Sequence, residues 1–306
     1  MASRWCGPAS CWSERLLLGV PNFSEGRSAH TIAAVTDAFA TRAELLDRHS
    51  DAVHNRTVLT LSAPGDGLVS ALVAGAGACL KHVDMTRHDG AHPCVGALDV
   101  CPVVWLGEAD RARAGERALE AAIGISELGV PVFLYGALAS DDRRRERAYF
   151  RRGGLAGLAE RMGSGELRPD FGPPEAHPTG GATLVTARPP LAAFNLVLDT
   201  ADVDVARAVA ADLRESGGGL GGVRAVGVDL DGRAQVSTNV HDPVAVPLSA
   251  VIERVRRLAA EHGARPVEGE VVGLLPEAAL RDLPDDVPLV GFDPDRGVIE
   301  RRLAGR

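Results

Sequence analysis

The stretch VRAVGVDLDGRAQVSTNV, residues 223–240, decides the fold. Two alternating apolar and polar runs, 223–230 and 233–240, flank Asp231-Gly232. A two-residue Asp-Gly link between such runs specifies a tight β-hairpin. Upstream lie a strand at 191–199 and a helix at 202–215; downstream come a helix at 247–262 and a strand at 267–274. That order, β-α-β-β-α-β, is a split βαβ unit with helices on one face of a mostly antiparallel sheet.

The first half carries the same rhythm. Leu16, Leu18 and Val20 make a strand that Pro21 and the turn-forming Ser24-Glu25-Gly26 end. Ile32, Val35 and Phe39 give helical spacing over 28–41, and strands fall at 43–47 and 56–62. A small-residue helix at 67–82 and a buried strand at 99–106 complete the unit, and a helix at 108–128 and a strand at 131–138 extend it. The fold class is therefore α+β, an α/β sandwich of two related βαββαβ-type subdomains. A Pro/Gly-rich stretch at 169–190 is expected to join them. Sheets covered on one face leave two open faces, which could enclose a flat ligand. The expected division is a loose extension at 1–13, subdomains at 14–185 and 186–285, and a C-terminal tail at 286–306.

Composition narrows the function. In 306 residues, 45% are hydrophobic and 24% charged, as in folded globular proteins. A net charge of −8 excludes an overall basic nucleic-acid binder. No apolar run reaches the 18 residues that would suggest a membrane span. Five cysteines (Cys6, Cys11, Cys79, Cys94 and Cys101), without a CxxC pair, fit neither a disulfide scaffold nor a zinc knuckle. Leu16-Leu17-Leu18 is too short for a signal-peptide core, so a cytoplasmic location is expected.

Five of the nine histidines, His49, His54, His82, His88 and His92, cluster among Gly, Pro and Asp residues. Such loops carry function more often than core elements do. His88 and His92 have the i, i+4 spacing of a zinc helix, but Gly90 and Pro93 oppose a helix there. His92, held ahead of Pro93, suits an oriented acid/base, and Asp99 could orient an imidazole or cap a turn. Asp47, His49 and Asp51 leave a metal role open. SGGGLGG (216–222) follows a helix and precedes a strand, the wrong context for a dinucleotide fingerprint. DFGPPEAHPTGGAT (170–183) is open to two readings, a linker or a loop whose backbone approaches a ligand. The Arg-rich run at 141–154 reads as a solvated helical face, or as a docking strip for a polyanionic tail.

Several segments taken in order resemble the formimidoyltransferase family, the glutamate formiminotransferases of folate-dependent histidine breakdown. They are VPNFSEGR (20–27), HNRTV (54–58), HDGAHPCVGALDVCP (88–102), ELGVPVFLYG (127–136), PDFGP (169–173), GAT (181–183), AFN (193–195), AQVSTN (234–239) and VVGLLP (271–276). The resemblance implies two α/β subdomains whose sheets enclose a tetrahydrofolate tunnel, and a homodimer. It implies transfer of a formimidoyl group from N-formimidoyl-L-glutamate to N5 of tetrahydrofolate, a co-substrate, with no metal. The family's catalytic histidine maps onto His92. Its folate segment maps onto Gly172, Pro173, Pro174, Glu175, Ala176, His177, Pro178, Thr179, Gly180 and Gly181. His49, Asn55, Arg56, Asp99 and Arg188 are the supporting candidates.

The chain departs from the family at Ala91 (usually Glu), Cys94 (Arg), Pro189 (Lys) and Gly180 (Trp). Two of these departures remove cations, for which Arg56, Arg87 or Arg188 could compensate. Two alternatives therefore stay beside the main reading: a related transferase with another formimidoyl or formyl donor, and a folate-binding paralogue without turnover. The expected partners are small molecules and a second copy of the chain, with no nucleic acid or membrane. Some family members carry a fused cyclodeaminase; here the product would pass to a separate one.

Overall fold

The computed structural model describes residues 16–91 and 93–304. The extension expected at 1–13, with Cys6 and Cys11, lies outside the described residues, as does His92. The chain forms two compact units that divide between Pro189 and Pro190.

The N-terminal unit opens with β1 (Leu16–Gly19) and β2 (Asn22–Phe23), two parts of one strand position interrupted at Pro21. Helix α1 (Ala29–Phe39) follows, with the Ser28 hydroxyl accepting from the Thr31 N–H at its start. Next come β3 (Glu44–Asp51), β4 (Arg56–Pro64), α2 (Gly65–His82) and β5 (Leu98–Val104). β4 lies between β3 and the β1/β2 position, and β5 lies on the other side of β1/β2, all antiparallel. This is the expected split βαβ order.

Helix α3 (Arg111–Ser126), β6 (Val132–Leu134), α4 (Arg147–Arg151), α5 (Gly154–Gly163) and β7 (Thr183–Arg188) extend the unit. β7 runs parallel to both β5 and β6 and lies between them. Residues 183–188 are thus a buried strand rather than the end of an interdomain linker, and the boundary expected at 185 falls inside β7. The linker reading of 169–190 is corrected for the same reason: Asp170 and Phe171 N–H both donate to Val132 C=O.

Alternation sorts the side chains of this sheet onto two faces. Leu59 and Leu61 of β4, Cys101 and Val103 of β5, and Val185 of β7 pack with helices α1 to α3. Close packing of α1 on α2 depends on Gly75, where a Cβ would come 2.1 Å from the Phe39 ring. Val100, Phe133, Tyr135 and Leu184 pack on the opposite face against Phe150 of α4 and Leu158 and Met162 of α5.

The C-terminal unit consists of β8 (Ala192–Leu198), α6 (Val203–Leu213), β9 (Val223–Leu230), β10 (Arg233–Val240), α7 (Leu248–Ala260) and β11 (Pro266–Val271). Its sheet runs β11-β8-β10-β9, antiparallel throughout. Asp231 and Gly232 both take positive φ, 49° and 84°, and Leu230 pairs with Arg233. These are the torsions a two-residue hairpin needs to match strand twist. Two short helices, α8 (Pro294–Gly297) and α9 (Ile299–Ala304), follow. Val287 and Val298 are buried in this unit's core, so the segment beginning at 286 packs as part of the unit.

Candidate active site

Three loops of the N-terminal unit converge on one corner. Asp51, at the end of β3, accepts from the Val53 and His54 N–H groups at 2.8 Å each and from His54 Nδ1 at 2.7 Å. Asn55 follows with φ 48°, a left-handed conformation that asparagine tolerates better than most residues. Its Oδ1 accepts from Gly26 N–H at 2.9 Å, and its Nδ2 donates to Asp89 C=O at 2.9 Å. One side chain thus ties the SEG turn to the HDG loop. Gly26 and Gly90 permit the approach: a Cβ would lie 2.0 Å from Asp51 C=O at the first and 2.6 Å from His54 C=O at the second. His88 lies at the same corner, its Nδ1 3.4 Å from Asn55 Nδ2. Burial lowers the His88 pKa, and a backbone contact with Ser24 and the charge of Glu25 oppose that shift.

The residues on either side of His92 are fastened. Ala91 N–H donates to Val53 C=O, and Val95 N–H donates to Asp99 Oδ1 at 2.8 Å. Beyond Val95, Ser24 Oγ donates to Gly96 C=O, and Ala97 N–H donates to Gly180 C=O. Ala182 N–H closes the pairing on Val95 C=O. The segment after His92 therefore lies directly against the end of the 172–181 segment.

That segment ends in a closed turn. His177 and Gly181 exchange both backbone hydrogen bonds at 2.9 Å, and Gly181 takes φ 66°. His177 Nδ1 accepts from Gly180 N–H at 2.9 Å and from Thr179 N–H at 3.3 Å. Because Nδ1 is an acceptor, the ring proton sits on Nε2, free to donate. Gly172, at φ 86°, approaches Val130 C=O closely. Pro173, Pro174, Glu175 and Ala176 span the ground between.

The Arg-rich run is only partly solvated. Arg143 and Arg145 are exposed, but Arg144 is buried, paired with Asp170 at 3.0 Å and stacked on Phe133 and Phe150. Arg151 donates to Asp99 Oδ2, in an ion pair whose side chains are 12% and 2% exposed. The solvated-face reading is corrected for Arg144 and Arg151, while Arg152 stays exposed: α4 turns Phe150 onto the sheet, and Arg151 beside it reaches Asp99.

Arg56, at the start of β4, lies within electrostatic reach of this group. Burial, then the charges of Arg147 and Arg151, lower its pKa to about 10, and Asp99 and Asp51 oppose that shift. Arg188, at the end of β7, is likewise lowered to about 10, chiefly by burial. Burial pushes the Cys94 thiol up to about 11, with the Asp99 carboxylate adding to it. At neutral pH it is a thiol and not a thiolate nucleophile.

The structure thus brings Asn55, Arg56 and Asp99 into one region with the flanks of His92 and with Gly180 and Gly181. His49 lies on β3 opposite Val58. Among the described residues, no three His, Cys, Asp or Glu side chains converge as a metal site requires. Tyr135 lies beside this region outside the sequence candidates, and Arg147 and Arg151 belong to the run read as a solvated face or a docking strip. The Tyr-Gly after β6 and the i, i+4 arginines around Phe150 were the available signals.

The Asp51–His54 pair has a consequence for acid stability. Burial alone would raise the Asp51 pKa, but the hydrogen bonds and charge of His54 and the Val53 N–H outweigh it and bring it down to about 2. A folded-state pKa below the unfolded one adds stability that is present above about pH 4 and lost as pH falls through about 2. Asp51→Asn should therefore cost about 2 kcal/mol near neutrality and almost nothing near pH 2. Urea titrations of both proteins at the two pH values measure the difference.

Two family descriptions match the chain: "Formiminotransferase domain, N-terminal subdomain" over residues 16–188 and "Formiminotransferase domain" over 193–285. A glutamate formimidoyltransferase of Streptococcus pyogenes serotype M1 is 36% identical over 296 residues, 94% of this chain and 98% of that one. One from Thermoplasma acidophilum is 34% identical, covering 93% and 96%. A formimidoyltransferase-cyclodeaminase of Sus scrofa is 40% identical over 86% of this chain and 50% of its own length.

Proposed function

The chain belongs to the formiminotransferase family, and from that premise we propose that it transfers the formimidoyl group of N-formimidoyl-L-glutamate to N5 of tetrahydrofolate. The observation that carries this reading is end-to-end similarity to stand-alone enzymes named for that transfer. The knitting of the HNRTV, HDGAHPC and HPTGG segments into one region of the N-terminal unit supports it.

The chemistry needs an oriented proton carrier. N5 attacks the amidine carbon, forming a C–N bond and a tetrahedral centre. N5 must then lose a proton, and the glutamate nitrogen must gain one before its C–N bond breaks. His92 is assigned both transfers, first as base and then as acid, since imidazole titrates near neutrality. Tetrahydrofolate is the co-substrate, with 172–181 as its backbone platform and His177 Nε2–H as a fixed donor there. Holding both substrates in one geometry removes much of the entropic barrier. The working form in this reading is a cytoplasmic homodimer. Among the described residues, no helix is long and apolar enough to cross a membrane.

Steady-state transfer with tetrahydrofolate and N-formimidoyl-L-glutamate tests the assignment, and robust turnover is expected. Tight folate binding without turnover would overturn the donor and leave the folate site. Failure to bind folate would overturn both.

A further inference from the structure

Helix α4 carries two arginines, Arg147 and Arg151, four residues apart and so on one side of its single turn. Between them Phe150 packs onto the sheet, its ring centroid 5.3 Å from that of Phe133. The strand beneath leads into Tyr135, whose N–H donates to Val185 C=O and whose C=O accepts from the Thr186 hydroxyl. β7, beside it, ends in Arg188. Three guanidinium groups and a phenol are thereby gathered over one end of the sheet, and each arginine acts on the Tyr135 hydroxyl through its charge.

Charge in this group does not balance. Among the described residues, the carboxylate bonded to any of these three guanidinium groups is Asp99, on Arg151. Arg188 Nη1 donates to Pro189 C=O at 2.9 Å, and the carboxylates of Asp99 and Glu146 act on Arg147 only through their charge. Arg144 and Arg161 differ: each has a carboxylate, Asp170 or Glu166, and packs on aromatic rings. Burial, then Arg151, lowers the Arg147 pKa against the opposing charges of Tyr135, Asp99 and Glu146, and burial raises that of Tyr135 while the three arginines oppose it. All three arginines are half-buried, and surplus guanidinium charge partly withdrawn from water is costly unless an anion arrives to meet it.

We propose that Arg147, Arg151 and Arg188, with the Tyr135 hydroxyl, bind a carboxylate of the acidic amino-acid donor. The inference rests on the transferase reading above. Guanidinium groups take carboxylates in paired, directional hydrogen bonds, and the neutral phenol adds a donor. The folate tail also carries carboxylate, but the donor fits better here. Its α-carboxylate is two bonds from the nitrogen that must be protonated, whereas folate's glutamate is separated from N5 by an aromatic spacer. Asp99, which holds Arg151, also holds Val95 in the segment after His92.

The test compares wild type with Arg147→Gln and Arg147→Lys, each checked for an unchanged thermal midpoint. Arg147→Gln should raise KM for N-formimidoyl-L-glutamate at least about tenfold, about 1.4 kcal/mol of binding, and leave KM for tetrahydrofolate within about twofold. Arg147→Lys should recover part of the loss. Calorimetry with L-glutamate gives a readout independent of turnover, and its affinity should fall in Arg147→Gln by a similar factor. An unchanged donor KM and glutamate affinity would overturn the proposal. A rise confined to the tetrahydrofolate KM would also overturn it and assign the cluster to the folate tail. Should wild type bind glutamate in an Arg147-dependent way without transferring the group, the cluster stands and the transferase reading fails.

Discussion

Asp99→Ala should destabilise the N-terminal unit by about 3–5 kcal/mol, the cost of leaving one member of a buried ion pair without its partner. Asp99 is 1% exposed. One carboxylate oxygen accepts from Val95 N–H and the other from Arg151, so the change orphans a backbone donor and a guanidinium together. The orphaned charge would lie among Arg56 and Arg147, which already repel each other. Asp99→Asn keeps an acceptor for Val95 but not the charge, and an intermediate loss is expected. Adding Arg151→Met to Asp99→Ala should recover the part of the loss due to the unpaired guanidinium and leave the cost of the unpaired Val95 N–H. Denaturant titration of wild type, Asp99→Ala, Arg151→Met and the double variant closes the cycle, with Asp99→Asn measured beside it. A loss below about 1 kcal/mol for Asp99→Ala would place the pair with exposed ion pairs.

What the sequence makes legible is local. The β9–β10 hairpin is readable because Asp231 and Gly232 alone supply its torsions, and α1 because Ile32, Val35 and Phe39 mark one face. β7 is not, since its partners β5 and β6 are distant in sequence and its parallel pairing leaves no turn signal. The arginines of α4 mislead for a related reason. Charge density suggests solvent, yet Asp99, which anchors Arg151, is 52 residues away. Asn55 is a candidate from the resemblance alone; its role as a clasp between two loops follows from a left-handed backbone and a pair of contacts that no spacing reveals. The 172–181 segment is half legible: its prolines and glycines mark a loop, but nothing in the spacing shows the pairing of Gly180 with Ala97.

His92→Ala should lower kcat/KM by about 10²–10⁴, the usual contribution of a positioned acid/base, and leave tetrahydrofolate affinity nearly unchanged. The split follows from the proposed roles, in which the 172–181 turn binds folate and the imidazole serves proton transfer alone. Two histidines close to the HDG loop could be asked to substitute, and both are committed elsewhere. His54 is buried and bonded to Asp51, and His88 lies beside Asn55, its Nδ1 3.4 Å from Asn55 Nδ2. Cys94 cannot replace it as a base, because its thiol stays protonated at neutral pH. Added imidazole should restore part of the lost rate in His92→Ala by supplying the missing carrier. A variant that kept full activity, or one whose loss lay wholly in folate affinity, would move the proton transfers away from His92.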